Sequence, residues 1–185
     1  MEFRVYKDIV LSELDKTLSA VDEDQINALI ELLTKAGKVF VVGVGRVQLS
    51  LLAFVKRLNH IGINATYVGA IDEPAIEPGD LLIVGSGSGE TVIPVAISVI
   101  AKNIGANIVH IGSNQHSTVS GAADLVVRLP CRTKLALDDE IDSLQPMSSL
   151  FEQSLLLLSD IVCMMIIDKK NINLKELWTT HANLE

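Results

Sequence analysis

Residues 85–92 read GSGSGETV: three glycines, two serines and a threonine between the apolar run Leu81 to Val84 and a segment with helical spacing. Glycine lets a strand-to-helix turn bend sharply and approach a ligand, while free amides and the helix dipole favour an anion. Hydroxyls from Ser86, Ser88 and Thr91 add donors without positive charge, so the stretch predicts a phosphate cradle. Capping of the helix is the plain alternative for any one serine, but three hydroxyls among three glycines favour binding. A second turn, GVGRV over 43–47, sets Gly45 and Arg46 at the start of another helix. Neither turn is a nucleotide loop. Glu90 stands where a Walker A loop needs lysine, and Gly43-Val-Gly45 lacks the third glycine of a dinucleotide fingerprint.

Acid and base candidates lie far from these turns in sequence. Glu152 sits among Leu150, Phe151, Leu155, Leu156 and Leu158. Apolar neighbours strip hydration from a carboxylate and push it towards the range of a general base, while a helix N-terminus acts the other way. It reads equally as a first-turn glutamate that complements the dipole. His181, four residues from the end, is either a solvated tail residue or a proton donor and acceptor at neutral pH. His60, closing a helix in KRLNHIG, and Arg57 are further candidates, each with a surface or dipole role as its alternative. Glu90 reads as structural, because a carboxylate facing a phosphate would repel it. No His, Cys, Asp or Glu set has metal-ligand spacing, so no metal and no cofactor is expected.

The elements that must position these residues follow from hydrophobic periodicity. Residues 4–19 and 22–36 have apolar positions three and four apart, predicting two amphipathic helices, the second opened by Asp22 and Gln25 as a capping box. Apolar runs at 39–42, 65–68, 81–84, 108–111 and 125–129 alternate with helical segments at 46–61 and 91–104. Continuous apolar strands alternating with helices imply a parallel sheet covered on both faces. The expectation is an α/β fold, a three-layer αβα sandwich on a five-stranded parallel sheet. A polar loop over 131–146 precedes a long helix at about 148–169 and a tail over 170–185. The acidic run 138–142, DDEID, reads as a solvated loop.

At 185 residues the chain fits one domain, and a 49% apolar composition makes it a compact globular one. A net charge of -8 excludes nucleic acid as an expected partner, since phosphate backbones demand clustered Lys and Arg. Two cysteines without ligand spacing and an N-terminus without a long apolar core fit a reducing cytoplasm and no export. The stretch 150–167 is broken by Glu152, Gln153, Ser154, Ser159 and Asp160, so it reads as a buried helix and not as a membrane span. It is too apolar for a monomer's surface, which predicts a homo-oligomer, a dimer or tetramer.

Together GVGR, GSGSGET, SLQPMSSLFEQ and the terminal HANLE resemble the sugar isomerase (SIS) domain, and more narrowly its 6-phospho-3-hexuloisomerase group. The resemblance covers nearly the whole chain and implies one SIS domain of flavodoxin-like topology over 1–185. It also implies a phosphosugar substrate, with interconversion of D-arabino-hex-3-ulose 6-phosphate and fructose 6-phosphate through a cis-enediol, without metal or redox cofactor. By the same resemblance Glu152 is the base, and Ser86, Ser88, Thr91, Gly45 and Arg46 hold the phosphate. The tail then carries His181 into an active site, that of a neighbouring subunit, to assist ring opening. A 3-hexulose-6-phosphate synthase becomes the expected pathway partner. A phosphosugar sensor without catalysis, or an aldose-ketose isomerase acting on arabinose 5-phosphate, would use the same domain. The group's first turn reads GxGRS, and this chain has Val47 where that serine contacts the phosphate.

Overall fold

Val39-Phe40-Val41-Val42 offers no polar side chain to either side, so as a strand it must be covered on both faces. The computed structural model, which describes residues 2–184, has that arrangement. Strands β1 (Val39–Val42), β2 (Ala65–Tyr67), β3 (Leu81–Gly85), β4 (Asn107–Gly112) and β5 (Leu125–Arg128) form one parallel sheet in the order β2-β1-β3-β4-β5. The register is in step across the centre, where Val39 pairs with Ala65 on one side and Leu81 on the other. This is the expected α/β sandwich with the flavodoxin-like strand order.

The helices are α1 (Phe3–Ser19), α2 (Glu23–Lys35), α3 (Arg46–His60), α4 (Val92–Ile104), α5 (Thr118–Ala122) and α6 (Ser149–Lys169), with a 3-10 turn, Glu176–Thr180, in the tail. Alternation along the strands divides the core. Val39, Val41, Leu81, Ile83, Val109 and Ile111 pack under α1, α2, α3 and α6. Phe40, Val42, Leu82, Val84 and Ile108 face α4 and α5. Each such side chain, once buried, contributes about 1.5–3 kcal/mol, so a one-residue slip of any central strand would be prohibitive.

Helix α6 is long and apolar enough to cross a membrane, yet half of its most apolar stretch is buried inside the protein. Its buried Ser159 is satisfied locally, with Oγ donating to the Leu155 carbonyl at 2.7 Å.

Two local expectations are corrected. Asp22 caps α2, accepting from the Asp24 amide at 2.8 Å, but Gln25 does not complete a capping box. Its Oε1 accepts instead from the Arg128 amide at 2.9 Å, since β5 is an edge strand whose amide would otherwise lack a partner. The acidic run 138–142 is not wholly solvated: Glu140 is buried and accepts from the Thr133 amide, the Thr133 hydroxyl and the Leu137 amide. Its two oxygens replace the ladder bonds that this irregular segment lacks.

Candidate active site

Strand order reverses between β1 and β3, and in open parallel sheets ligands sit at that switch point beyond the carboxyl ends of the strands. Both glycine turns are there, Gly43–Gly45 after β1 and Gly85–Gly89 after β3. A cavity of about 300 Å³ lies over the second, lined by Ser86, Ser88, Thr91, Ser148, Val47 and Glu152 among others. The first turns of α3 and α6 reach it, as does Thr91, the residue that precedes α4.

Loop 85–90 is built to present amides. Its carbonyls turn inward: that of Ser86 accepts from His110 Nε2 at 2.9 Å, that of Gly87 from the Ser113 amide at 3.0 Å, and that of Gly89 from the Val119 amide at 3.2 Å. The Gly87 and Ser88 amides have no acceptor among the described residues. Outward amides beside the Ser86, Ser88 and Thr91 hydroxyls make an anion-binding concavity. Ser86 Oγ accepts from the Gly89 amide at 3.1 Å and lies 3.3 Å from Thr91 Oγ1, so its own proton remains for a ligand or for Thr91. Glu90 turns away, as expected of a structural residue, and caps α5 by accepting from the Thr118 amide and hydroxyl, both at 2.8 Å.

His110 supports this loop from beneath. A carbonyl only accepts, so Nε2 carries a proton, while Nδ1 lies 2.8 Å from Ser120 Oγ, whose single proton is also within reach of the Asn114 carbonyl at 2.9 Å. Burial holds its pKa below the ordinary 6.5, against the bond to Ser86 and the charge of Glu90, which act upwards. A group with a depressed folded pKa stabilises the protein above the unfolded value and loses that contribution as pH falls. The thermal midpoint is therefore expected to drop from pH 7 towards pH 5, with a shallower drop in His110→Asn. Equal slopes in the two proteins would contradict this role for His110.

Glu152, in the first turn of α6, stands between this cavity and a neighbouring one of about 260 Å³ lined by Arg46, Leu49, Ser50 and Gln153. Its side chain is 12% exposed, flanked by the apolar residues that the sequence suggested. Arg46 Nε donates to Glu152 Oε2, and the arginine is not among the residues lining the hydroxyl cavity. Ser50 Oγ donates to the Glu152 carbonyl at 2.8 Å, which fixes α6 against α3 and occupies the hydroxyl nearest to the missing first-turn serine. Gly45 takes a left-handed φ of 60° as it opens α3.

The other candidates are grouped elsewhere. His60 and Arg57 lie on the last turn of α3, some 20 Å along the helix from Arg46. His181 stacks on His60 with ring centroids 5.8 Å apart and touches Trp178 at 5.4 Å. Burial, followed by the charges of Lys56 and Arg57, lowers the pKa of His60. Within one chain His181 and Glu152 do not meet, and Glu185, the last residue of HANLE, lies outside the described residues. Sequence reasoning missed the wall that residues 131–148 form, where Thr133, Lys134 and Met147 face the hydroxyl cavity. Only Met147 had a signal, the quoted SLQPM stretch, where it takes a left-handed φ of 56°.

Comparison with known proteins agrees with this fold. The SIS domain family model matches residues 32–159. A 3-hexulose-6-phosphate isomerase of Mycobacterium gastri is 39% identical over 177 residues, 96% of this chain and 88% of its own. One of Bacillus subtilis is 35% identical over 95% of each chain. A Methanococcus jannaschii protein, whose crystal structure infers a molecular function of 3-hexulose-6-phosphate isomerase, superposes with a TM-score of 0.85 at 32% identity, covering 97% of this chain and 99% of its own.

Proposed function

This chain belongs to the SIS domain family, and we propose that it is the phosphosugar isomerase interconverting D-arabino-hex-3-ulose 6-phosphate and fructose 6-phosphate. One observation carries the reading: a largely enclosed carboxylate, Glu152, its side chain 12% exposed, stands at the edge of an amide- and hydroxyl-lined anion cavity. Relatives named for this reaction at 35–39% identity supply the substrate.

The phosphate sits on loop 85–90, with Ser86, Ser88 and Thr91 as side-chain donors, and Gly45 lets α3 approach. Fixing the remote phosphate positions the sugar carbons at Glu152 and turns proton transfer into an intramolecular event. The Glu152 carboxylate takes the proton from C2 of the hexulose, giving a cis-enediol across C2 and C3. The carboxyl proton exchanges with solvent, and Glu152 then delivers a proton to C3, while the O2 hydroxyl proton passes to O3, leaving the ketone at C2. Arg46, bonded to Glu152, is placed to stabilise charge on the enediol oxygens as it develops. No electron leaves the sugar, so the reaction requires no redox partner. A synthase joining formaldehyde to ribulose 5-phosphate would supply the hexulose.

Catalytic use of His181 requires a second subunit, with the His60 and Arg57 end of α3 facing a neighbour's site. Exposed apolar side chains support an oligomer, a dimer or tetramer: Met164 and Ile161 on α6, Ile93 and Ile100 on α4. Two buried free thiols, with pKa values pushed up by burial to about 11 and about 12, fit a reducing cytoplasm.

An assay offering hexulose 6-phosphate, fructose 6-phosphate and arabinose 5-phosphate tests the reading. Turnover of the first pair alone is expected; tight binding without turnover would make the protein a sensor. His181→Ala is expected to lower kcat by about 100-fold. Mixing it with Glu152→Gln protein and refolding the two together should recover activity, because some sites then hold both intact residues. Failure to recover would rule out a site shared between subunits.

A further inference from the structure

The hydroxyl cavity has to hold a phosphate dianion beside the Glu152 carboxylate, and the one cation on its wall among the described residues is Lys134. Arg46 is taken up by Glu152 and lines the neighbouring cavity. Val47 brings no donor from the first turn, and Ser50 is committed to the Glu152 carbonyl. Pro94, in the first turn of α4, has no N–H to offer. Neutral donors alone would leave two anions close together in a partly enclosed site, where their repulsion is weakly screened.

Lys134 is carried on a segment that is pinned. The Thr133 amide and hydroxyl donate to Glu140 at 3.0 and 2.7 Å, and Glu140 is only 8% exposed. The Thr133 methyl lies against loop 85–90 so closely that a β-carbon at Gly87 would stand 3.3 Å from it. The far end of the same segment is held by a second buried carboxylate, Glu13 of α1, which accepts from Ser143 Oγ at 2.7 Å, the Leu144 amide at 2.8 Å and Gln145 Nε2 at 3.0 Å. Both carboxylates are spent on one irregular wall of the cavity, and that wall carries the cation.

We propose that Lys134 contacts the phosphate of the substrate and sets the preference for a dianionic sugar, and that Glu140, acting through Thr133, is its positioning residue. This rests on the phosphosugar reading above, and it is tested by binding as well as by turnover.

The probes are fructose 6-phosphate and inorganic phosphate, titrated calorimetrically into the full-length protein. A hydrogen bond to a charged group predicts that Lys134→Gln weakens both by about 10- to 100-fold. KM should rise by the same factor while kcat stays within about threefold, since the lost contact is made equally in ground and transition states. Lys134→Arg should restore most of the affinity. Glu140→Gln should raise KM in the wild-type background and have little effect in Lys134→Gln, a non-additivity that general loosening would not produce. Wild-type affinity for both probes in Lys134→Gln, or no binding of either by the wild-type protein, overturns the proposal. Additive effects of the two substitutions overturn the role of Glu140. Lys134-dependent phosphate binding in a protein without isomerase turnover supports the contact and removes the isomerase reading.

Discussion

Glu152→Gln is expected to lower kcat by about 10²- to 10⁴-fold while changing KM by no more than about threefold, the signature of a lost general base. The substitution keeps the shape of the side chain and removes its ability to take a proton from carbon. Stability should hardly change. The partner of Glu152, Arg46, has a side chain 65% exposed, and solvent-exposed ion pairs contribute about 0–1 kcal/mol. The bond from Ser50 to the Glu152 carbonyl is a backbone contact and survives. Steady-state kinetics beside a thermal melt therefore separate chemistry from folding. Undiminished turnover in a folded variant would take Glu152 out of the base role, and lost turnover with a lowered melting point would point to damage at the α3 and α6 contact.

Gly89→Ala is expected to do the opposite, harming the protein before the chemistry. Gly89 has a φ of 65°, in the left-handed region, where a side chain costs roughly 1–2 kcal/mol. A β-carbon there would also overlap Ser117 Oγ and Cβ and crowd the His110 ring. Ser117 caps α5 by accepting from the Ser120 amide at 3.2 Å, so it cannot withdraw freely. Overpacking of this kind adds about 1–3 kcal/mol, and the total, about 2–5 kcal/mol, is a large part of a domain's stability. Because Gly89 anchors the turn that presents the Gly87 and Ser88 amides, KM should rise at least about tenfold in whatever protein still folds. Gly121→Ala is the control: it lies in α5 with open space around its would-be β-carbon, and is expected to be neutral or stabilising by up to about 1 kcal/mol. Chemical denaturation of the two variants decides this; equal midpoints would contradict the account of the loop.

The central strands β1 and β3 were legible in the sequence because, buried on both faces, they have no polar positions, as in Val39–Val42 and Leu81–Gly85. The glycine turns were legible for a related reason, since their backbone conformations admit few other residues. Helix α5, five residues long, was not, because a single turn of helix leaves no periodicity to read. Glu140 and Gln25 escaped for another reason. Their partners, Thr133 and Arg128, are set by how irregular segments and edge strands satisfy amides in three dimensions, and neither pairing leaves a spacing signal. Arg46 was read for the phosphate, whereas its guanidinium lies on Glu152, a contact that joins residues 106 positions apart. Lys134 carried no motif and sits in a loop. What the sequence analysis named as chemistry, Ser86, Ser88, Thr91 and Glu152, lies around one cavity, while His181, His60 and Arg57 gather at the other end of α3.

Proton nuclear magnetic resonance of fructose 6-phosphate incubated with the wild-type protein in heavy water tests the isomerase reading most directly. An enediol across C2 and C3 predicts that the C3 proton of fructose 6-phosphate exchanges for deuterium while a 3-hexulose 6-phosphate appears, and that Glu152→Gln abolishes both. A C3 proton that stays in place with no new ketose formed, in protein shown to bind the sugar phosphate, would contradict it.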